Sequence, residues 1–331
     1  MNYPLNPELF TESVKLEPIR AGFGRGLKAA GEANENVVAL CADLTESTQM
    51  HLFRDAFPKR FIELGIAEQN LVTVASGLAR AGKIPFTSSY AAFSPGRNWE
   101  QIRTTSALNN QPVKIVGSHA GVSVGPDGAT HQMLEDIALM RVLPNMVVVA
   151  PGDSIEAEKA TRAIAENGKP SYLRLAREKT PVFSTADAPF EIGKAYILKE
   201  GTDVTLLGTG TMTYELLLAS QLLSEHGIDA EVVHVPTIKP LDEQTILTSV
   251  RKTGRAISAE EAQAAGGFGG AIAELLSEKL PTPLKRIGML DRFGESGAPA
   301  ELMEHFNLSG AKIAPVVKAF IETTAKYHQE F

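Results

Sequence analysis

One cysteine in 331 residues, Cys41, excludes an intrachain disulfide framework and any thiolate metal cluster built by this chain alone, and it suits a reducing compartment. No run approaches the roughly 18 apolar residues of a membrane-spanning helix. The opening residues are polar and acidic, with Asn2, Asn6 and Glu8, and lack the charged and apolar regions of a secretory signal. Positive charge is also short. Lys and Arg number 32 against 39 Asp and Glu, a net charge of -7 that gives no general attraction to nucleic acid or an anionic membrane. Any anion site must therefore be local. With 44% hydrophobic and 21% charged residues the chain is globular, and these cues together predict a cytoplasmic protein.

At about 150 residues per domain the length predicts two domains, each with its own core. Short β-branched runs alternate with segments of helical period, the pattern of parallel strands joined by crossover helices. The fold class is therefore α/β, as two consecutive parallel-sheet domains. In the first, strands are predicted at 37–42, 61–64, 84–88, 113–117, 146–150 and 172–175, with helices at 67–81, 98–108, 132–141 and 154–166. Gly82, Pro112, Pro144 and Gly168 supply the stops. The periodicity fails after Arg177. Residues 180–193, with two prolines and no helical stripe, are the expected linker between domains at 1–179 and 194–331. In the second domain, strands at 204–208, 230–235, 256–259 and 285–290 alternate with helices at 214–226, 242–252, 268–279 and 311–327.

The densest cluster of chemistry-bearing residues is 118–132, which begins where the 113–117 strand ends, at the sheet edge where ligands bind in open α/β folds. Gly121, Gly125, Gly128 and Pro126 keep this stretch out of the core, yet it carries His119, Asp127 and His131. A turn whose Asp127 and Thr130 cap the next helix is the plain alternative. The histidine spacing fits no standard metal motif, and no metal ligand is assigned. Glu68 opens a helix after a strand, where the macrodipole favours a carboxylate. Ile66 and Leu71 give it an apolar setting that would raise its pKa and suit a carboxyl that donates or shares a proton. Tyr90 and Phe93, separated by two alanines at a strand end, read either as a stacking platform for a flat ring or as core packing. Arg177 and Arg20 read either as a bidentate phosphate grip or as surface charge. In the second half, the Gly208-Thr209-Gly210 turn lacks the dinucleotide fingerprint, and the glycines at 266–270, after Glu260 and Glu261, are expected to allow close subunit approach.

Taken in order, Ala42-Asp43-Leu44-Thr45, Gly65-Ile66-Ala67-Glu68, the whole of 118–132, Leu143-Pro144-Asn145 and Ala150-Pro151 resemble the C-terminal half of transketolase. The resemblance covers that enzyme's pyrimidine-binding and C-terminal domains and runs from about Arg20 to the end. It implies a thiamine-diphosphate-dependent transferase that moves a two-carbon ketol unit from a ketose phosphate to an aldose phosphate. It further implies that Glu68 protonates the cofactor's aminopyrimidine nitrogen and promotes the imino form that deprotonates the thiazolium carbon. Tyr90 and Phe93 would stack on and border the pyrimidine, with Tyr90 where the family more often has Phe, and Ile66 and Asp43 would line the same pocket. His119, Arg177, Arg20 and Ser47 match the sugar-phosphate grip, and Asp127 and His131 match groups bonded to the donor's hydroxyl and carbonyl. The C-terminal domain reads as interface and scaffold.

The sequence also departs from the family. Gln69 stands where His is common, and the stretch Ser94-Pro95-Gly96 is one residue longer, so Arg97 is assigned no role. Family members hold the diphosphate and its Mg2+ or Ca2+ with an N-terminal domain bearing Gly-Asp-Gly and a downstream Asn, a pattern not found here. The resemblance therefore implies one subunit of a split transketolase, acting in carbohydrate metabolism such as the pentose phosphate pathway. Its partner would be a separate diphosphate-binding chain, in a two-plus-two heterotetramer. The β subunit of a 2-oxoacid dehydrogenase lacks the His119, Asp127 and His131 arrangement. 1-Deoxyxylulose-5-phosphate synthase shares the Asp-Gly-x-Thr-His string but lacks a counterpart of His119. A non-catalytic regulatory paralogue needs none of these residues together.

Overall fold

The computed structural model describes residues 3–327. Its larger sheet has seven strands in the order Thr237–Lys239, Val147–Val149, Ser171–Arg174, Lys114–Ser118, Ile84–Tyr90, Val37–Cys41 and Phe61–Glu63. All run parallel except Thr237–Lys239. The two-residue period sets the packing. Val37, Ala39 and Cys41 join one buried layer with Phe23, Leu27, Ala157 and Ile164, whereas Val38 and Leu40 join the other with Leu71, Val72 and Ile137. Helices thus cover both faces, as a parallel sheet requires.

Helix Ile19–Ala33 lies outside the helices expected from the sequence and carries four glycines in fifteen residues. They are packing sites. A Cβ on Gly22 would sit 1.8 Å from the Ser154 carbonyl oxygen, and one on Gly26 would sit 2.7 Å from that of Glu158. The helix therefore lies closer to Ser154–Glu166 than side chains would permit, which offsets the roughly 1 kcal/mol that each interior glycine costs.

The second sheet has the order Leu284–Met289, Ala256–Gln263, Val204–Gly208, Ala230–His234 and Tyr196–Lys199, with the last strand antiparallel. Both sheets are thus parallel as expected apart from one antiparallel edge strand each. The first half keeps a core layer of its own, the second half dominates another, and a third layer is shared by both. Leu207, Val233, Phe268 and Ile272 continue the layer that contains Val38 and Leu71, and strand Thr237–Lys239 leaves the second half to pair with Val147–Val149. Residues 180–193 are a packed connection. Lys179–Pro181 pairs with Leu16–Pro18, and Val182, Phe183, Ser184 and Ala188 are buried. Two helices differ from expectation. The 132–141 helix begins only at Asp136–Arg141, because the Gln132 side chain bonds loop carbonyls, and the 98–108 helix is a short Trp99–Gln101 turn that widens into π-type Ile102–Ala107.

Parallel strands place their carboxyl ends on one edge. The chain steps outward from Val37–Cys41 to Phe61–Glu63 and returns across to Ile84–Tyr90, so the direction of winding reverses between adjacent strands and opens a crevice at that edge. Every residue singled out in the first half for chemistry, except Arg20, follows or ends one of these strands.

Candidate active site

Glu68 starts helix Glu68–Arg80, where the helix dipole is positive, and only 2% of the residue is exposed. Its Oε2 accepts a 2.6 Å hydrogen bond from Arg97 Nη1, Ser89 Oγ stands 3.5 Å from Oε1, and Asn98 Nδ2 donates to its backbone oxygen at 2.8 Å. The expected apolar setting is half present. Leu71 is buried, but Ile66 is 74% exposed, and a guanidinium partners the carboxylate. Arg97 also lies over the Phe93 ring, with Cζ 4.7 Å from the ring centre. The turn that delivers it depends on Gly96, where a Cβ would meet the Ala92 carbonyl oxygen at 2.1 Å. Glu68, Arg97, Ile66, Asn70 and Gln101 line a depression of about 400 Å³. A larger cavity of about 1100 Å³ lies elsewhere, between Tyr3 and the edge strand Tyr196–Lys199, and holds none of the candidate residues.

Beside this depression four rings form one cluster. Tyr90 stacks on His119 at 3.8 Å between ring centres and on Phe93 at 6.0 Å, while His131 meets Tyr90 and Phe93 edge-on at 6.2 and 5.4 Å. His119 has a left-handed backbone, φ 57°, held by the Ala120 N–H on the Leu175 carbonyl. Its Nε2 lies 2.9 Å from Arg20 Nη1, and since a guanidinium can only donate, Nε2 accepts. The ring proton is therefore on Nδ1, which donates to Ser118 Oγ at 2.9 Å. Burial, with Arg20 and Arg177 beside it, pushes the imidazole down to about 3, so His119 is neutral. Arg20 Nε is buried with no partner among the described residues, a donor available to an incoming acceptor. Arg177 Nη1 donates to the Val124 carbonyl at 2.6 Å and lies 3.8 Å from Asp127 Oδ2.

Asp43 and Ile66 flank each other at neighbouring strand ends. The Asp43 and Gly65 N–H groups donate to Glu63 Oε1 at 2.7 and 3.0 Å, and Thr45 Oγ1 donates to Oε2 at 3.0 Å. Ser47 is half-buried in the following turn, and among the described residues no hydrogen bond ties it to Arg20, His119 or Arg177. The structure thus gathers Arg20, His119 and Arg177 with Tyr90, Phe93 and His131. Asp127 is linked through Arg177 and Glu68 through Arg97. Asp43 and Ile66 form a separate corner, and Ser47 stands apart. In the second half, Glu260 accepts the Phe268 and Gly269 N–H groups at 2.7 Å each, and burial pushes its carboxyl up to about 7. A Cβ on Gly267 would lie 2.1 Å from Glu260 Oε2. Gly267 thus admits the Glu260 side chain of its own chain, whereas Gly270 faces open space.

Residues 18–182 match the family described as transketolase, pyrimidine binding domain, and residues 193–313 match transketolase, C-terminal domain. The chain belongs to the transketolase family. A putative transketolase C-terminal section of Methanocaldococcus jannaschii is 46% identical over 299 residues, which cover 89% of this chain and 94% of that protein. A 6-deoxy-6-sulfo-D-fructose transketolase subunit of Clostridium sp. is 41% identical, with coverages of 95% and 97%. A solved structure described as a split gene transketolase, inactive beta4 tetramer, matches with a TM-score of 0.86 at 42% identity, over 92% of this chain and 98% of that one. In extent and domain content the chain corresponds to the C-terminal subunit of a split transketolase.

Transketolase-family domains imply dependence on thiamine diphosphate. The residues present fit its ring end, with a buried carboxylate at the floor of an open depression and an aromatic wall beside it. Among the described residues no group of three or more His, Cys, Asp or Glu could hold a metal ion. Four residues given no role from the sequence bear on the site: Arg97, Asn98, Ser118 and Glu63. Only Arg97 carried a signal, a cation four residues after Phe93; the others emerge from hydrogen bonds that spacing cannot show.

Proposed function

We propose that this chain is the ketol-transferring C-terminal subunit of a split transketolase, working with a separate chain that holds the diphosphate of thiamine diphosphate and its Mg2+ or Ca2+. The observation that carries this reading is the buried Glu68 carboxylate on the same sheet edge as the neutral His119 flanked by two arginines. When bound, thiamine diphosphate supplies the carbon nucleophile to which the ketol unit is transferred. Glu68, only 2% exposed, would hydrogen-bond the pyrimidine nitrogen. Tyr90 and Phe93 pack the ring, and Ile66 and Asp43 border it. Arg20, through its unpartnered Nε, and Arg177 bind the phosphate of the sugar, whose two negative charges suit two guanidiniums. His119 stays an uncharged member of that grip, and Ser47 is assigned to it from the resemblance. Asp127 and His131 hold the hydroxyl and carbonyl groups of the donor.

Relatives of similar extent support the need for a second chain, since one is described as an inactive beta4 tetramer. They also act on different sugars, including an apulose-4-phosphate transketolase subunit of Phocaeicola vulgatus at 34% identity, so donor and acceptor are left as sugar phosphates in general. Among the described residues no helix is long and apolar enough to cross a membrane, and a cytoplasmic location is part of the proposal. The test is ketol transfer by the chain with and without the diphosphate-binding chain, across a panel of ketose phosphates, beside Glu68→Ala. No transfer is expected without the partner, and severe loss is expected for the variant. Full activity of the chain alone, or of the Glu68→Ala complex, would overturn the reading.

A further inference from the structure

The loop that carries His119, Asp127 and His131 does not stand on the first half of the chain alone. Glu261, in strand Ala256–Gln263, is 1% exposed, and its Oε1 accepts the Ser123 N–H at 2.6 Å in the middle of that loop. Its Oε2 accepts the Thr211 hydroxyl at 2.8 Å. The loop backbone comes so close that a Cβ on Gly121, where φ is +91°, would lie 2.4 Å from Glu261 Oε1. The loop's far end is fastened to the same half. Gln132 Nε2 donates to the Val122 carbonyl within the loop and to the Glu295 carbonyl outside it, both at 2.9 Å, and a Cβ on Gly128 would meet Ser296 Oγ at 2.4 Å. Glu261 is itself fixed, because Arg174 Nη2 donates to its carbonyl oxygen at 2.8 Å.

We propose that Glu261 is a positioning residue for the donor sugar. It touches no reacting atom, but by gripping the Ser123 amide it sets the curve of the loop, and hence the separation of His119 from Asp127 and His131. This rests on the ketol-transfer reading of the site. The chemistry required of the residue is two acceptor oxygens facing two donors at fixed distance. Glutamine meets that need with one turn of a hydroxyl, since its amide oxygen accepts from Ser123 and its amide nitrogen donates to Thr211 Oγ1. Alanine leaves both donors unpaired in a closed interior. Glu68, Tyr90 and Phe93 follow other strand ends and take their backbone positions from those strands, not from the loop.

The experiment uses the chain assembled with its diphosphate-binding partner. Glu261→Ala is expected to raise the donor KM at least tenfold while the dissociation constant for thiamine diphosphate, read by calorimetry, stays within twofold. Glu261→Gln should remain within threefold of wild type in both. Thr211→Val, which removes only the outer bond, should raise the donor KM about threefold and covers the case in which the alanine variant does not fold. An unchanged donor KM in Thr211→Val and Glu261→Ala, a parallel loss of cofactor affinity, or a glutamine variant as impaired as alanine would each overturn the proposal. Hydrogen exchange at the Ser123 amide separates its fate from that of the enzymatic reading. That amide should be protected in the wild-type chain, in Glu261→Gln and, with its own bond intact, in Thr211→Val, and exposed in Glu261→Ala. Equal protection throughout refutes the grip even if no sugar is ever turned over.

Discussion

Arg97 Nη1 lies 2.6 Å from Glu68 Oε2, and the two side chains differ sharply in exposure, 46% for the arginine and 1% for the glutamate. The buried partner has the most to lose when the pair is broken. Removing the arginine leaves a carboxylate oxygen in the interior without its donor, a penalty of about 1–3 kcal/mol. Arg97→Ala should therefore lower the unfolding free energy of the isolated chain by about that amount in urea titrations, and Arg97→Lys should recover part of it. The double variant Glu68→Gln with Arg97→Ala should cost less than the arginine change alone, because an uncharged amide is cheaper to bury unpaired. Strict additivity of the two changes would show that the pair contributes nothing.

A second expectation concerns pH. An unfolded histidine titrates near 6.5, but His119 in the folded chain is pushed down to about 3 by burial and by the Arg20 and Arg177 charges. Below about pH 6.5 the unfolded chain binds a proton that the folded chain refuses. The contribution of this group to stability is therefore complete above that pH and lost as pH falls toward 3. Glu260 works the other way. Its carboxyl, raised to about 7 by burial, makes stability fall as pH rises from about 4.5 to 7. The useful quantity is thus the difference between wild type and His119→Gln, measured by denaturant unfolding from pH 7 to 4. It should shrink in the variant's favour as the solution becomes acid. A difference that does not change with pH would mean that His119 takes up a proton as readily in the folded chain as in the unfolded one.

What the sequence made legible was the sheet edge. Strand ends at Cys41, Glu63, Tyr90 and Ser118 are local patterns, so the candidate residues that follow them could be placed before any coordinates. Contacts between distant segments could not. Thr237–Lys239 is three residues long, and only its pairing with Val147–Val149 makes it a strand. Glu261 and Ser123 are 138 residues apart, and neither has a neighbour that signals the other. Ile66 illustrates a different limit. Its apolar character suggested a dry wall for Glu68, but burial depends on what lies opposite, and in this chain it faces outward.

The glycines of helix Ile19–Ala33 allow a paired test of close packing. Gly22 faces the Ser154 carbonyl so tightly that a Cβ would sit 1.8 Å away, and the obstacle is backbone, which cannot rotate aside. Gly22→Ala should destabilise the chain by about 1–3 kcal/mol or more through overpacking. Gly77, inside helix Glu68–Arg80, has nothing within 4 Å of its hypothetical Cβ. Gly77→Ala should stabilise by about 0.4–1 kcal/mol, from helix propensity and a less flexible unfolded chain. Thermal and urea unfolding of the two variants should move in opposite directions. A neutral Gly22→Ala would mean that the two helices can separate without loss.

The buried ion pair between Arg174 and Asp136 lies within the first half, and Arg174 extends it to the second half through the Glu261 carbonyl. Arg174 Nε donates to Asp136 Oδ2 at 2.8 Å, the Tyr172 hydroxyl donates to the same oxygen at 2.7 Å, and Arg174 Nη2 reaches the Glu261 carbonyl. Burial holds the Tyr172 hydroxyl well above its usual range, so it remains a neutral donor. Both charged side chains are almost wholly enclosed. Asp136→Ala strands a guanidinium in the interior and should cost about 3–5 kcal/mol, whereas replacing both residues together, as Asp136→Leu with Arg174→Met, should recover most of that loss. Stability and function should then part. The apolar double variant restores unfolding free energy but no longer donates to the Glu261 carbonyl, so ketol transfer by the assembled complex should remain impaired through the donor KM. Recovery of both together would show that Arg174 serves only the core.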